Sequence, residues 1–350
     1  MSAGKGRKGS STKRPMTQKQ LADKLGLSTA TVSLALRDSP MIAEETRKLV
    51  RDAMQKSGYV YNVAAASLRT GKTRIVGVSF HDIVHPFFAE MLASIEDSLS
   101  ESGKAIFINN HGDDPERLRR FVEGLREHGA DGLIVSPALG TDPEMLQLLR
   151  RAGAAIVFIS RYLPGFDADF AGNADVLGMG IATRHLLSLG HKEIVMLGGL
   201  PGTTTGDNRL AGFRRAVIAE GLTWRDELHL PGAAKRIVGV ELARQALSRT
   251  PRPTAFACFN DLVAFGAMNG IRAAGLVPGK DIAVVGIDDS QEAQACFPPL
   301  TTVSNHPGRI GAVAANLLLE RLADPAAPFQ HIAIEPVLTV RESCGSPGEN

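Results

Sequence analysis

The chain has 350 residues, 44% hydrophobic and 22% charged, a balance typical of a folded protein with more than one domain. No apolar run reaches the roughly 18 residues of a membrane-spanning helix, and no signal-peptide core follows the basic start, so we expect a cytoplasmic protein with no membrane partner. Three cysteines without metal-type spacing, Cys258, Cys296 and Cys344, indicate reduced thiols.

Charge is divided unevenly along the chain. Residues 1–74 hold 15 Lys or Arg against 5 Asp or Glu, whereas residues 75–350 hold 24 against 32. The basic first part predicts a polyanionic partner. Residues 1–15 are expected to form a disordered basic tail because they are rich in Gly, Ser and Lys. The positive excess persists over residues 16–74 without that tail.

The first predicted helix begins at residue 17. Thr17 followed by Gln20 is a capping-box pattern, Leu21 and Leu25 share one helix face, and Gly26 ends the helix. The glycine allows the tight turn that a helix-turn-helix requires.

Two further helices are predicted next. Ser28 caps a helix that runs to Leu36 and has Val32 and Ala35 on its apolar side. A third amphipathic helix spans residues 42–58. The three helices predict a DNA-binding bundle, although a generic helical hairpin has similar spacings. A short Ala-rich helix follows within residues 59–71.

The run from residue 17 to residue 70 resembles the headpiece and hinge of the lactose-repressor (LacI/GalR) family. The resemblance rests on Leu27-Ser28-x-x-Thr31-Val32-Ser33, Glu44-Glu45-Thr46-Arg47, Gly58-Tyr59 and Asn62-x-x-Ala65-x-x-Leu68. It implies a transcriptional repressor that binds a palindromic double-stranded operator as a homodimer or tetramer, with residues 16–60 as DNA-binding domain and 61–73 as hinge. The residues that it implies at the DNA are Thr17, Ser28, Thr29, Ala30, Thr31, Ser33, Leu34, Arg37, Tyr59, Asn62, Ala65 and Leu68.

Some of these positions carry specific expectations. By the resemblance, Thr29 and Ala30 face base edges in the major groove, where both can contact a thymine methyl. Leu34 stands where the family often has Arg, so a guanine contact is missing, and Arg37 is the candidate to replace it. Leu68 is either a packing residue of its short helix or a wedge in a minor-groove step. The resemblance favours the wedge.

From residue 74 onward, short β-branched runs alternate with amphipathic helices, which predicts a doubly wound α/β core with parallel sheets over residues 74–340. Strands are predicted at residues 75–78, 105–108, 132–135, 155–159, 194–197, 255–259 and 282–287, and helices at 88–100, 116–128, 179–189, 209–220 and 262–274. The resemblance implies two lobes like those of periplasmic binding proteins, residues 75–172 and 173–304. The chain then returns to the first lobe near residue 305, and residues beyond 330 finish between the lobes. Residues 341–350 are expected to be a disordered tail.

Polar residues after the predicted strands are candidates for a ligand site, because the carboxyl ends of parallel strands meet at one edge of a sheet. The runs His85-Pro86-Phe87-Phe88, Arg209-x-x-Gly212-Phe213, Phe259-Asn260-Asp261 and Gly286-Ile287-Asp288-Asp289 also resemble effector-contact motifs of the family. The predicted effector site comprises Phe87, Asn110, Ser136, Arg161, Arg209, Asn260 and Asp288. Asn173 and Asp175 differ in spacing from the family's pairing and receive no role.

The chemistry of these residues suits a small polar effector. Arginine offers paired donors, aspartate paired acceptors, and an aromatic ring a stacking surface. We expect a sugar-like molecule or else a heterocycle, and the two arginines leave an acidic sugar open. The effector is expected to act through the angle between the lobes.

Two other functions occur on this fold. An enzyme is not expected, since the sequence lacks a phosphate-binding loop, a dinucleotide fingerprint and a metal-spaced histidine cluster, and no cofactor or metal is expected either. A transport-type solute-binding protein shares the core by resemblance, but it needs export and has no use for a helix-turn-helix.

Overall fold

The computed structural model describes residues 16–36, 39–57 and 72–345 of the chain. The chain divides into two compact units, residues 1–71 and residues 72–350. We call the described part of the first unit, residues 16–36 and 39–57, the headpiece, and the second unit the core. No helix in the described part of the chain is long and apolar enough to cross a membrane.

The headpiece is the predicted three-helix bundle. Its helices are α1 (Gln18–Leu25), α2 (Thr29–Ala35) and α3 (Glu44–Ser57). The predicted capping box of Thr17 with Gln20 is present, Gly26 ends α1 at a φ of 67°, and the Ser28 side chain accepts a hydrogen bond from the Thr31 backbone N–H. The small core that these caps enclose contains Leu21, Ala22, Val32, Ala35 and Val50.

The first lobe of the core is built on a six-stranded sheet. Its strands are β1 (Ile75–Phe80), β2 (Ala105–Asn110), β3 (Gly132–Val135), β4 (Ala155–Ile159), β5 (Asp169–Asn173) and β11 (His331–Ile334). They lie in the order β11-β5-β4-β3-β1-β2, and every pair is parallel. The helices of this lobe are α4 (Pro86–Glu101), α5 (Pro115–Glu127), α6 (Pro143–Arg151) and α12 (Pro307–Ala323).

The second lobe repeats this architecture. Its strands are β6 (Ile194–Leu197), β7 (His229–Leu230), β8 (Ala255–Cys258), β9 (Ala283–Asp288), β10 (Thr301–Ser304) and β12 (Val337–Thr339). The order is β12-β10-β9-β8-β6-β7, and β12 runs antiparallel to β10. Its helices are α7 (Asp175–Ser188), α8 (Thr204–Ala219), α9 (Arg236–Leu247), α10 (Asp261–Ala273) and α11 (Gln291–Ala295).

Each sheet has a packed hydrophobic cluster on both faces. In β3, Ile134 packs with one cluster of the first lobe, whereas its neighbours Leu133 and Val135 pack with the other. This alternation follows from side chains that point to opposite faces of a strand. Because both faces of each sheet are covered, a ligand can reach the sheet only at the ends of its strands.

The chain crosses between the lobes three times. The crossovers follow β5, β10 and β11, at residues 173–175, 304–307 and 334–337. All seven predicted strands and eight of the nine predicted helices are present, with shifts of up to five residues at their ends, and the ninth helix, predicted within residues 59–71, lies outside the described residues. The structure adds five strands (β5, β7, β10, β11 and β12) and four helices (α6, α9, α11 and α12) that the sequence did not predict.

One predicted boundary is wrong. Residues 341–345 were expected to begin a disordered tail, but Ser343 and Cys344 are buried in a 3-10 turn. The Ser343 hydroxyl donates to the Val284 carbonyl oxygen, and Arg341 forms an ion pair with Asp289 at 2.7 Å. These contacts hold the segment against β9. Residues 346–350 lie outside the described part of the chain.

Candidate functional site

The N-terminal turn of α2 contains the two residues that the sequence analysis predicted to face bases. Thr29 and Ala30 are both exposed there, and Ser28 is exposed as well. The Ser28 and Thr31 hydroxyls lie 2.8 Å apart, and the Gln18 side-chain amide donates to the Thr29 carbonyl oxygen at 3.1 Å. These contacts hold the start of α2 against α1, so the backbone that carries Thr29 and Ala30 has a fixed orientation in the headpiece. The sequence analysis did not assign Gln18 this role.

The other predicted DNA contacts fare differently. Thr17 is exposed, as required, and also caps α1, while Leu34 is half-buried. Ser33 is 2% exposed, because it lies on the side of α2 that packs into the headpiece, so its predicted DNA contact is wrong. The remaining five, Arg37, Tyr59, Asn62, Ala65 and Leu68, lie outside the described residues and stay predictions.

A cleft between the two lobes of the core contains a cavity of about 40 Å³. The first lobe lines it with residues that follow β1 and β4, and the second lobe with residues of α8 and residues after β7, β8 and β9. The lining residues are His81, His85, Phe87, Phe88, Ser160, Arg161, Thr205, Arg209, Ala234, Phe259, Asn260 and Asp288.

The cavity brings together most of the predicted effector residues. Phe87, Arg161, Arg209, Asn260 and Asp288 all line it. The sequence motifs therefore located both walls of the cleft.

Asn110 and Ser136 do not line the cavity, and these two predictions are corrected. Asn110 is exposed at the end of β2, the edge strand of its sheet, where it pairs with Phe80 of β1, but its side chain is not part of the cavity lining. Ser136 is fully buried, and its carbonyl oxygen lies 2.9 Å from the His111 Nε2. A position after a strand was therefore not sufficient to place a residue at the cavity, even where its strand lies beside one that lines it.

Arg209 is fixed at the second-lobe wall by a buried ion pair that the sequence analysis missed. Its Nε donates to the Asp175 Oδ1 at 2.8 Å, with both side chains about 5% exposed or less. Its Nη1 donates to the Phe259 carbonyl oxygen, and the guanidinium lies 4.5 Å from the centre of the Phe259 ring. Burial raises the pKa of Asp175, and the positive charge of Arg209 opposes that rise.

The first-lobe wall contains polar atoms without partners. The Arg161 Nη1 donates to the Asp113 Oδ1 at 2.8 Å, but its Nε is buried and has no hydrogen-bond partner among the described residues. The same holds for the Nδ1 of His81, whose pKa is lowered by burial and by the neighbouring Arg161. Buried polar groups are almost always satisfied in proteins, so these atoms are available to a bound molecule or to an ordered water.

His85 joins the lobes across the cleft. Its Nδ1 accepts a hydrogen bond from the Phe87 N–H at the start of α4, while its Nε2 lies 2.7 Å from the Asn260 Nδ2 and 3.7 Å from the Asp288 Oδ2. Burial lowers the pKa of His85 to about 4 and raises that of Asp288. At the mouth of the cleft the Tyr162 N–H also reaches across, to the Thr204 hydroxyl at 3.3 Å. The lobes are therefore closed on each other.

The backbone is strained at this site. Three non-glycine residues at or just after strand ends have positive φ angles, Ser160 at 62°, Asp288 at 126° and Asp289 at 54°. Such conformations cost about 1–3 kcal/mol each and gather at functional sites. The described residues contain no group of His, Cys, Asp and Glu that could hold a metal ion.

Comparison with known proteins agrees with both halves of this description. Residues 17–62 match the bacterial regulatory proteins of the lacI family, and residues 183–344 match a periplasmic binding protein-like domain. The HTH-type transcriptional repressor PurR of Haemophilus influenzae (strain PittEE) is 31% identical over 333 residues, which are 94% of this chain and 99% of that protein.

Solved structures show the same likeness. The transcriptional regulator CelR in complex with cellobiose is 29% identical, has a TM-score of 0.70, and is covered in full by 94% of this chain. The lac repressor dimer bound to operator and the anti-inducer ONPF is 24% identical, with a TM-score of 0.82 over 95% of this chain and 100% of that one, and shares the fold. The chain belongs to the lacI family of bacterial transcriptional regulators and is an effector-controlled DNA-binding repressor, not an enzyme.

Proposed function

We propose that this repressor works in the cytoplasm, where it binds a palindromic operator as a homodimer and responds to a small, uncharged, sugar-like effector in the cleft between its lobes. The observation that carries the proposal is the closed cavity where Arg161, Asn260 and Asp288 meet between aromatic side chains. Lobes that close on a polar cavity can respond to a ligand by changing their angle.

Operator recognition is assigned to the start of α2. Thr29 and Ala30 are small and exposed, so their methyl groups can contact thymine in the major groove, and the threonine hydroxyl can hydrogen-bond a base. Lys and Arg outnumber Asp and Glu over residues 16–74, which supplies contacts to phosphates. Leu68 is proposed as the minor-groove wedge of the hinge.

The charges of the cleft favour a neutral effector over an acidic one. Arg161 is already paired with Asp113, and Arg209 with Asp175, so neither guanidinium brings an unbalanced charge. Asp288 offers an acceptor, whereas Arg161 and Asn260 offer donors. Hydroxyl groups both donate and accept, and they match this mixture better than a carboxylate does. The cellobiose bound by CelR is a molecule of this class.

The size of the cavity links the effector to the lobe angle. A volume of about 40 Å³ holds roughly three water molecules, which is less than a sugar requires. An effector of that size therefore enters only if the lobes or their side chains move apart. Binding must change the arrangement that His85, Asn260 and Asp288 hold in the closed form, and this change is the proposed signal.

Exposed apolar side chains on the core support the homodimer. Phe107 and Ile108 on the edge strand β2 are 41% and 52% exposed, and in the second lobe Ile237 and Phe297 are 64% and 81% exposed. Large apolar side chains that stay exposed on a folded domain are candidates for a protein interface. Sedimentation analysis should find a dimer at micromolar concentration, and substitution of Phe297 by Glu should weaken it.

Selection from random duplex DNA tests the proposed function directly. Purified protein should enrich a palindromic site, and its affinity for that site should fall steeply as salt is raised. No preference for any duplex over random DNA would reject the proposal. A thermal-shift screen of neutral sugars, their acidic counterparts and nucleobases should then find stabilisation by a neutral sugar.

A matched pair of variants assigns the effector response. Asp288→Ala should keep operator affinity and lose the effect of the sugar on it. Asp97→Ala removes an exposed carboxylate of α4 and should change neither. Loss of operator binding in the ligand-free Asp288→Ala protein would instead give Asp288 a structural role.

A further inference from the structure

We infer that the core has a second ligand site, for a small molecule that carries a phosphate or carboxylate group, in a groove between α7 and α8 outside the effector cleft. We call this groove, lined by Asn173, Asp175, Leu177, Arg184, Asn208 and Arg215, the crossover groove, because it adjoins the crossover after β5. Its volume is about 410 Å³, compared with about 40 Å³ for the cavity in the cleft. A volume of that order is typical of small-molecule sites.

The charge of the crossover groove is positive. Arg184 on α7 and Arg215 on α8 lie one on each wall, and neither forms an ion pair within the described residues. The Arg184 guanidinium lies back along its helix over Gly180, where a Cβ atom would come within 3.1 Å of its Nη1. The one carboxylate of the lining, Asp175, is bound to Arg209. Residues 75–350 have more acidic than basic residues, so two unpaired guanidinium groups in one groove form a local positive charge on a core whose net charge is negative.

A buried amide points to a missing ligand. Asn173 is 6% exposed, lines the groove, and makes no hydrogen bond of standard geometry through its Nδ2 or its Oδ1 among the described residues. The amide also acts on the Asp175 carboxyl as a hydrogen-bond donor that helps to lower its pKa, which engages at most one of the two N–H bonds of the amide. Because buried polar groups are almost always satisfied, a bound molecule is the expected partner of this amide.

The class of ligand follows from these groups. A guanidinium presents a planar fork of donors that matches a phosphate or a carboxylate, and two of them on facing helices can hold one anion from both sides. The amides of Asn173 and Asn208 add neutral donors, and Leu177, 40% exposed, adds an apolar wall for the body of the molecule.

The position of the crossover groove gives the ligand a regulatory role. Asp175 forms part of its wall and also holds Arg209, which lines the effector cleft. The groove also adjoins one of the three segments that join the lobes. An anion in the groove would therefore act on the lobe angle and on Arg209, which couples a second chemical signal to the effector site.

Calorimetric titration of the full-length protein tests the site. Inorganic pyrophosphate and citrate serve as phosphate and carboxylate probes, added at constant ionic strength. We expect saturable binding of at least one probe, and a loss of affinity of about tenfold or more in Arg184→Gln and in Arg215→Gln. Arg244→Gln, an exposed arginine on α9 away from the groove, is the charge control and should bind as the wild type does.

Several results would overturn the inference. One is that neither probe shows saturable binding, and another is that the Arg244→Gln control loses as much affinity for the probe as the groove variants do. A third is that Arg161→Gln loses affinity and the two groove variants do not, which would place the anion in the effector cleft. The titration needs neither operator nor effector, so its failure would leave the proposed function intact. Unfolding temperatures close to that of the wild type would show that the variants are folded.

Discussion

The headpiece and the core differ in how their functional residues are brought together. In the headpiece, α1 and α2 are adjacent in sequence, their caps are local, and one small cluster of five buried residues holds them. In the core, contacts across the cleft join residues as far apart as His85 and Asn260, separated by 175 positions. The functional residues of the headpiece are therefore positioned by contacts that are local in sequence and by a small hydrophobic cluster. Those of the core are positioned by contacts between distant parts of the chain and by several large clusters.

This difference has consequences for stability. A domain of about 60 residues buries a smaller share of its surface than a larger one does, so its folded state tolerates less damage. The core buries four clusters of apolar residues, two in each lobe. We expect destabilising substitutions in the headpiece to lower operator affinity because they unfold this unit. We expect substitutions in the core to alter the effector response without unfolding the headpiece.

The largest expected effect is that of Arg209→Ala in the core. The substitution leaves Asp175 buried without its partner, which costs about 3–5 kcal/mol for a pair of this kind. Urea unfolding should show a destabilised core and a headpiece that still binds nonspecific DNA. Arg225→Ala is the control, because it breaks an ion pair on the surface. The side chains of Arg225 and Glu193 are 46% and 37% exposed, and their ion pair should contribute less than about 1 kcal/mol. Equal losses in the two variants would contradict the role of burial.

The next effect is that of Leu21→Ala in the headpiece. Leu21 is fully buried, and its truncation should cost about 3 kcal/mol, a large part of the stability of so small a domain. Operator binding should fall steeply, while the unfolding transition of the core and its effector affinity stay unchanged. Leu49→Ala, at a leucine that is 49% exposed, should have a small effect. A shift of the core transition in Leu21→Ala would show that the two units do not unfold independently.

The contrast between local and global structure also explains what the sequence predicted. The caps Thr17 and Ser28 act within three residues, so the bounds of α1 and α2 followed from the sequence alone. The strand β7 was missed because it has two residues, too few for a pattern. The helix α12 begins with Pro307 and contains two glycines in its first turns, which weaken the helical signal, and its burial against α4 stabilises it instead.

Only part of the effector site was predicted, because some of its residues belong to local motifs and others are brought in by contacts between distant parts of the chain. Arg209 lies in a short motif within α8 and Asp288 in one at the end of β9, and both motifs could be recognised locally. Asp175 could not, because its partner Arg209 lies 34 positions along the chain and is reached only through the packing of α7 against α8. Asn110 follows a strand as the other candidates do, but the sequence does not give the order of strands in the sheet, and β2 proved to be at its edge.

The pH dependence of the stability of the core should show the contribution of His85. An unfolded histidine takes up a proton near pH 6.5, whereas burial lowers the pKa of His85 to about 4. Between these values the unfolded chain binds more protons, so acidification destabilises the folded core. His85→Asn keeps a residue that can cap α4 and removes this contribution, which should lessen the loss of stability over that window by about 2 kcal/mol. Urea unfolding of both proteins across the window measures it, and parallel pH profiles would contradict it.

The smallest effects give the most direct comparison, since the same cap occurs in both units. Thr17 is exposed and caps α1, whereas Thr203 is 4% exposed and caps α8 by accepting a hydrogen bond from the Gly206 N–H at 3.1 Å. Thr17→Ala should cost about 0.5–1 kcal/mol and Thr203→Ala about 1–2 kcal/mol, since the buried N–H loses its partner.

The order of the functional effects should be the reverse of the order of these free energies. Because the headpiece has less stability to lose, Thr17→Ala should lower operator affinity, while Thr203→Ala should leave effector affinity close to that of the wild type. Denaturation and binding measurements on both variants test this, with Thr17→Ser and Thr203→Ser as controls that keep the capping hydroxyl. An unchanged operator affinity in Thr17→Ala would mean that DNA binding itself supplies the stability that the cap provides in the free headpiece.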